Sequence, residues 1–356
     1  MRKVMRKVLR ITTAALGTAV ALCCVVAGGY VINNLNYFDW GMARVWRAGY
    51  VEKQVTINGS VMNYAEGPDN GPALLLIHGQ SGDWQNYYPV LPKLAKRYHV
   101  YAVDCYGHGK SARVPEKYTN VAMGRDLQQF LVQVVGKPAI VSGHSSGGLL
   151  AAWLAAYAPE QVSGVVLEDP PIFTTLLPRA EKTWNWVDLA TSAHTFLASG
   201  QTDWVSYSAE HNRLWKFFGN GKEGLLKQAM TYHAQHPGQS IKWWELPPVM
   251  NESFRAMDHY DPRFGDAFYT DSWDTGFDHE ATLAAIHVPA AFIHTNWSYD
   301  TDGILMAATD GKDAARARSL IKDVQFYQVD SGHGFHWEKP DAFVKIVDDL
   351  ADRVRR

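Results

Sequence analysis

Ile140-Val141-Ser142-Gly143-His144-Ser145-Ser146-Gly147-Gly148 is the stretch on which the reading of this chain turns. Ala139-Ile140-Val141 is a short apolar run of strand type, and residues 147–158 are rich in Ala and Leu up to the helix-stopping Pro159. Between them lies a G-x-S-x-G pattern centred on Ser145. A serine on a tight strand-to-helix turn takes strained backbone angles, and only small neighbours two residues away avoid a clash. The turn lifts the hydroxyl above the sheet, and the helix that follows offers N–H groups to a developing negative charge. Ser145 is therefore a candidate nucleophile.

Working outward, the chain alternates strand and helix signals. Residues 54–57 and 61–64 flank Asn58-Gly59, a dipeptide suited to a hairpin turn. Residues 73–77 form a continuous apolar run, as in a strand buried on both faces, and residues 99–103 form another, ending at Asp104. Helices are expected over 87–97 and 121–135, and a strand over 165–167. The pattern stops at Pro170-Pro171 and resumes near Val288-Pro289 with a strand at 290–294, a helix at 314–321, a strand at 324–329 and a closing helix at 341–354. Such alternation predicts an α/β fold with a mostly parallel central sheet flanked by helices. The interruption at 172–286 holds seven of the 13 tryptophans and is expected to form a large helical insertion capping the sheet. Most of those aromatics are expected to pack the insertion's own core.

At 356 residues, 47% hydrophobic and 20% charged, the chain has an ordinary globular composition. A net charge of -2 argues against nucleic acid as a partner, because phosphate neutralisation needs a basic surface. The charge is uneven. Arg2, Lys3, Arg6, Lys7 and Arg10 precede residues 11–32, which carry no charge, so the leader is basic and the remainder acidic. An apolar helix of about 20 residues spans a bilayer. The length favours a single-pass anchor, within a leader of residues 1–36, over a cleaved signal with secretion. Positive charge stays cytoplasmic, which puts the body outside the cytoplasm. Two of the three cysteines, Cys23 and Cys24, lie in this leader and Cys105 stands alone in the body. Cysteine usage thus says nothing of redox compartment. The residues before Cys23, Val20-Ala21-Leu22, are a poor match to a lipidation site.

Four stretches in this order resemble the α/β-hydrolase superfamily: Leu76-Ile77-His78-Gly79-Gln80-Ser81-Gly82, Asp104-Cys105-Tyr106-Gly107-His108-Gly109-Lys110-Ser111, the Ser145 turn, and Ser331-Gly332-His333 followed by Glu338-Lys339-Pro340 and Phe343. The likeness covers most of residues 54–356 outside the insertion, and the expected core is residues 50–171 and 287–356. It implies His333 as general base rather than His336, three residues on, and an oxyanion hole built from the backbone N–H groups of Gln80 and Ser146. The family's acid usually follows the next-to-last strand, but three residues past Thr295 stands Ser298. Asp300 is the first expectation, then Asp302, then Asp169 at the end of an earlier strand, a position some family members use. Each aspartate also has a plain reading as a turn or solvated residue.

Serine, base and oxyanion donors suit acyl transfer to water, with ester hydrolysis the default, no metal and no organic cofactor required. Serine rather than aspartate at the turn argues against the superfamily's dehalogenase and epoxide hydrolase chemistry. The aromatic insertion points to a small-molecule substrate with an apolar or aromatic acyl group. The resemblance also permits a carbon–carbon bond hydrolase, and a non-catalytic binding protein on the same fold is the third alternative.

Overall fold

The computed structural model describes residues 2–239 and 241–355, and for residues 2–4 and 6–17 the helical backbone only. The basic side chains expected to orient the leader, Arg2, Lys3, Arg6, Lys7 and Arg10, thus lie outside the described residues.

Eight strands, β1 (Val51–Ile57), β2 (Ser60–Glu66), β3 (Ala73–Ile77), β4 (His99–Val103), β5 (Ala139–His144), β6 (Val162–Glu168), β7 (Ala290–His294) and β8 (Val324–Gln328), form one sheet in the order β1-β2-β4-β3-β5-β6-β7-β8. β1 and β2 form the Asn58-Gly59 hairpin, with Asn58 at φ 46° and Gly59 at φ 81°, and β2 runs antiparallel to β4. All other pairings are parallel. Strands β3, β4, β5 and β7 are buried at every position, because helices cover both faces.

One face packs under helices Asn120–Phe130 and Ser146–Tyr157, through Met123, Leu127, Leu149 and Leu150. The other packs under the closing helix Pro340–Val354, through Phe343, Ile346, Val347 and Leu350. The helix expected over 87–97 is instead a single turn at Trp84–Tyr87 and a short helix at Leu91–Leu94, since Pro92 removes an N–H donor from the middle of that stretch.

The N-terminal helix also differs from expectation. It runs unbroken from Arg2 to Arg47, eleven residues past the expected end of the leader. Val20, Leu22, Val25 and Val26 are exposed, whereas Met42 and Val45 join the core under the closing helix. Among the described residues, one helix thus carries an exposed apolar stretch and, towards its C-terminus, a docked part. The docked part bonds to the insertion: Asn34, fully buried, donates to the Trp244 carbonyl at 2.8 Å, and the Tyr37 hydroxyl donates to Glu252 at 3.1 Å.

The chain between β6 and β7 is helical throughout its ordered elements. Its aromatics divide. Trp215, Trp243 and Phe254 pack a core of the insertion's own, while Phe264, Phe268 and Trp273 join the sheet's core. The helix Pro248–Arg255 is fixed to the loop after β3 by a buried bidentate ion pair, Arg255 to Asp83 at 2.6 and 2.8 Å.

Candidate active site

Ser145 sits between β5 and the helix Ser146–Tyr157 at φ 53°, ψ -124°, outside the ordinary regions for a residue with a side chain. The glycines on either side explain how the turn closes. A Cβ on Gly143 would stand 2.0 Å from the Gly147 carbonyl oxygen, and one on Gly147 would stand 2.3 Å from that of Ile77. The Ser145 N–H donates to the Glu168 carbonyl at 2.9 Å, which ties the turn to the end of β6.

Directly after Glu168 comes Asp169, fully buried and itself at φ 41°. His333, on the loop after β8, donates from Nδ1 to Asp169 Oδ2 at 2.6 Å. The same oxygen accepts from the Thr295 hydroxyl at 2.8 Å, at the end of β7. Donation from Nδ1 leaves Nε2 as the basic nitrogen of the neutral ring. The packed surroundings pull the imidazole down, but the hydrogen bond and charge of Asp169, with Glu168 and Glu338 behind, outweigh this and hold His333 above the usual histidine range.

Asp300, the first expectation for the acid, is not brought to His333. Its Oδ1 accepts from the N–H groups of Asp302 and Ile304, at 2.9 and 3.0 Å, and its Oδ2 from Lys216 Nζ at 2.7 Å. Asp302 also faces Lys216 and Arg213, at 3.1 and 3.3 Å. The loop after β7 therefore latches onto the insertion, and the lysine beside Asp300 lowers its carboxyl to about 2. Of the three aspartates considered, the one brought to the imidazole is Asp169.

His336 takes a separate place. It is buried, donates from Nδ1 to Glu168 at 2.8 Å, and places Nε2 3.1 Å from Asn86 Oδ1. Burial alone would raise the Glu168 carboxyl, but His336 beside it holds it below its ordinary value. His144 lies between the two rings, 4.5 Å from His333 and 5.1 Å from His336 by centroid. Burial, reinforced by the neighbouring His333, pushes its pKa down to about 3, so it is neutral and donates from Nε2 to the His333 carbonyl at 3.0 Å. Sequence reasoning missed this second carboxylate–histidine pair. In the sequence His336 stands out only as a rival base, and the Glu168-Asp169 doublet at a strand end is the trace of its partner.

Gln80, Ser81, Ser145, Ser146 and His333 open onto one cavity of about 420 Å³. The insertion supplies much of the remaining lining, with Trp184, Asp188, Leu189, Leu214, Met257 and Phe268 among its residues. The Gln80 side chain donates to the Tyr260 hydroxyl at 2.8 Å, so its amide ties this loop to the insertion. His78 shapes the same loop, accepting at Nε2 from the Cys105 N–H at 2.9 Å. The Asp104 turn is a brace, with Asp104 accepting from the N–H groups of Trp84 and Lys110 at 2.8 and 3.0 Å.

A model of the alpha/beta hydrolase fold matches residues 72–241. Among curated proteins, the chain is 34% identical over 128 residues to the 2-hydroxy-6-oxo-6-(2'-aminophenyl)hexa-2,4-dienoic acid hydrolase of Metapseudomonas resinovorans, covering 34% of this chain and 42% of that one. It is 24% identical to the 3-oxoadipate enol-lactonase 1 of Acinetobacter baylyi over 81% of this chain and 92% of that one. Relatives matched at 36% identity are spanned over only 30%, 40% and 33% of their own lengths. Among solved structures, a membrane phospholipase A described as a bacterial virulence factor superposes with TM-score 0.60 at 21% identity, covering 97% of this chain and 99% of that one.

Proposed function

The chain belongs to the α/β-hydrolase superfamily, and from that membership we propose that it is a serine hydrolase cleaving a carboxylic ester through an acyl-enzyme on Ser145. The observation that carries this reading is the 2.6 Å contact of His333 Nδ1 with buried Asp169, on a cavity shared with Ser145. Asp169 fixes the tautomer, His333 Nε2 takes the serine proton, and Ser145 Oγ adds to the carbonyl carbon. The N–H groups of Gln80 and Ser146 receive the oxyanion. Collapse of the intermediate expels the alcohol, which takes its proton from His333, and water then releases the acid by the same steps in reverse.

In the same reading the exposed apolar stretch of the N-terminal helix is part of a membrane anchor, and the body lies outside the cytoplasm. Support comes from the apolar stretch within Thr18–Arg47 and its exposed Val20, Leu22, Val25 and Val26. The insertion serves as the cap over the site, and its apolar wall of Leu189, Leu214, Met257 and Phe268 suits an acyl chain. The dienoic acid hydrolase relative favours a second reading, carbon–carbon bond hydrolysis by the same serine.

Labelling by a fluorophosphonate probe tests the first reading: the wild-type protein is expected to be labelled and Ser145→Ala not, with the thermal transition kept. Labelling that persists in Ser145→Ala would remove that serine from the mechanism. Parallel assays on nitrophenyl esters and a dienoate diketone separate the two readings.

A further inference from the structure

We infer that Asp188 selects the substrate, by receiving a protonated amine or a hydroxyl that the substrate carries into the cavity away from the scissile bond. This rests on the ester-hydrolase reading above and names the substrate class it leaves open.

Asp188 is the only carboxylate among the described residues lining the Ser145 cavity. It lies in the insertion, in a π-helical turn at Trp186–Ala190, and is 8% exposed. Such turns re-aim side chains and occur frequently at functional sites. A carboxylate offers about four acceptor positions. Asp188 fills one well, with the Arg213 N–H at 2.6 Å on Oδ1. Oδ2 has only the Asn212 side-chain amide, at 3.5 Å. The Asn212 amide is held in that orientation, with its Oδ1 accepting from the Leu214 N–H at 2.8 Å, so its NH2 stays at the edge of hydrogen-bond reach of Oδ2.

No described cation makes an ion pair with Asp188. The nearest candidate by position, Arg213, turns its guanidinium to Asp302 at 3.3 Å and Asp300 at 3.6 Å. A buried carboxylate with one strong hydrogen bond and no ion-pair partner is costly. Here burial pushes its pKa up to about 6, against the pull of Arg213. A donor arriving with the substrate satisfies Oδ2 and removes that cost. Thr183 and Asn185 line the cavity with Asp188, as do the apolar side chains of Met257, Phe268 and Met306. The lining thus offers both polar and apolar partners to a substrate.

The plain alternative is that Asp188 only holds the Arg213 turn. Asparagine distinguishes the two, because its carbonyl can keep the bond to the Arg213 N–H while the charge is lost. The test uses pairs of esters of equal length, one member ending in an ammonium or hydroxyl group and the other in methyl. The group is placed at the end of the acyl part in one pair and of the alcohol in the other. At pH 8, kcat/KM is measured for wild type, Asp188→Asn and Asp188→Ala. Binding of the same pairs is measured by calorimetry in Ser145→Ala and in Ser145→Ala/Asp188→Asn.

In at least one placement the wild-type protein is expected to prefer the donor-bearing member, and Asp188→Asn to cut that ratio about ten- to a hundredfold. A ratio that stays the same in Asp188→Asn, including one where both members weaken together, overturns the inference, as does wild-type indifference in both placements. Absence of any Ser145-dependent turnover would overturn the ester reading instead, and the calorimetric ratios would still decide Asp188.

Discussion

Replacing Asp169 by Asn is the perturbation that bears hardest on the site. The carboxylate receives His333 Nδ1 at 2.6 Å and the Thr295 hydroxyl at 2.8 Å on one oxygen, while its other oxygen has the Thr295 N–H at 3.4 Å. When His333 takes the serine proton, the imidazolium and carboxylate centres stand about 4 Å apart, worth about 4 kcal/mol at an effective dielectric of about 20. At about 1.4 kcal/mol per decade, losing that charge costs about three decades in kcat. His333 keeps 43% of its side-chain exposure, and solvent screening discounts the figure toward two decades. A second loss acts in the other direction. Asn can turn its amide NH2 toward Nδ1 and its carbonyl toward the Thr295 N–H, which satisfies the backbone but forces the proton onto Nε2. The ring then has no lone pair for Ser145. The expected drop is about 10²- to 10⁴-fold in kcat on a nitrophenyl ester. The comparison is Asp300→Asn, which loosens the Lys216 latch and should change kcat by no more than about threefold. The reasoning is refuted if Asp169→Asn stays within about threefold of wild type, with its thermal transition intact, or if Asp300→Asn loses more.

The pH dependence follows from the same contact. His333 must be neutral to accept the serine proton, so kcat/KM should rise with pH through its pKa, which lies above the ordinary histidine value because of Asp169. In Asp169→Asn the residual activity should have its acidic limb at lower pH; a limb that stays in place would dissociate it from the Asp169–His333 pair. For the N-terminal helix, removing residues 1–29 should release the protein from membranes, since the apolar exposed part goes and the docked part stays. Full-length protein recovered in soluble fractions would defeat the anchor. Removing residues 1–47 should in addition lower Tm by several degrees, because burial of Met42 and Val45 is worth about 1.5–3 kcal/mol each. An unchanged Tm would mean that the docked part contributes nothing to stability.

The parts legible in sequence were those set by local chemistry. A glycine two residues on each side of Ser145, between an apolar run and an Ala-rich helix, leaves the backbone few other courses. The buried strands declared themselves as unbroken apolar runs. The docked part of the N-terminal helix was missed although Phe38, Met42 and Val45 stand at helical spacing. Its apolar face continues from a longer apolar stretch, and composition alone cannot mark where lipid gives way to protein. Asp188 carried no sequence signal, since an acid in a helix of mixed polarity reads as a solvated face.

That His333 meets Asp169 rather than Asp300 has a reason in the sheet order. Ser145 directly follows β5, and β6 is that strand's immediate neighbour, whereas β7 lies one strand further out. An acid at the end of β6 therefore starts closer to the nucleophile than one after β7, and Asp169 at φ 41° needs no loop to reach the imidazole. Thr295, where the residues after β7 begin, then becomes a hydrogen-bond donor to that acid rather than the lead-in to another. This frees the loop after β7 for a different task, and its two aspartates hold Lys216 and Arg213 of the insertion. The arrangement has a consequence for Asp188. Arg213 is the cation best placed to neutralise it, and Asp300 and Asp302 engage that guanidinium. With that guanidinium held by the loop after β7, no described cation forms an ion pair with Asp188, the observation on which the proposed substrate contact rests.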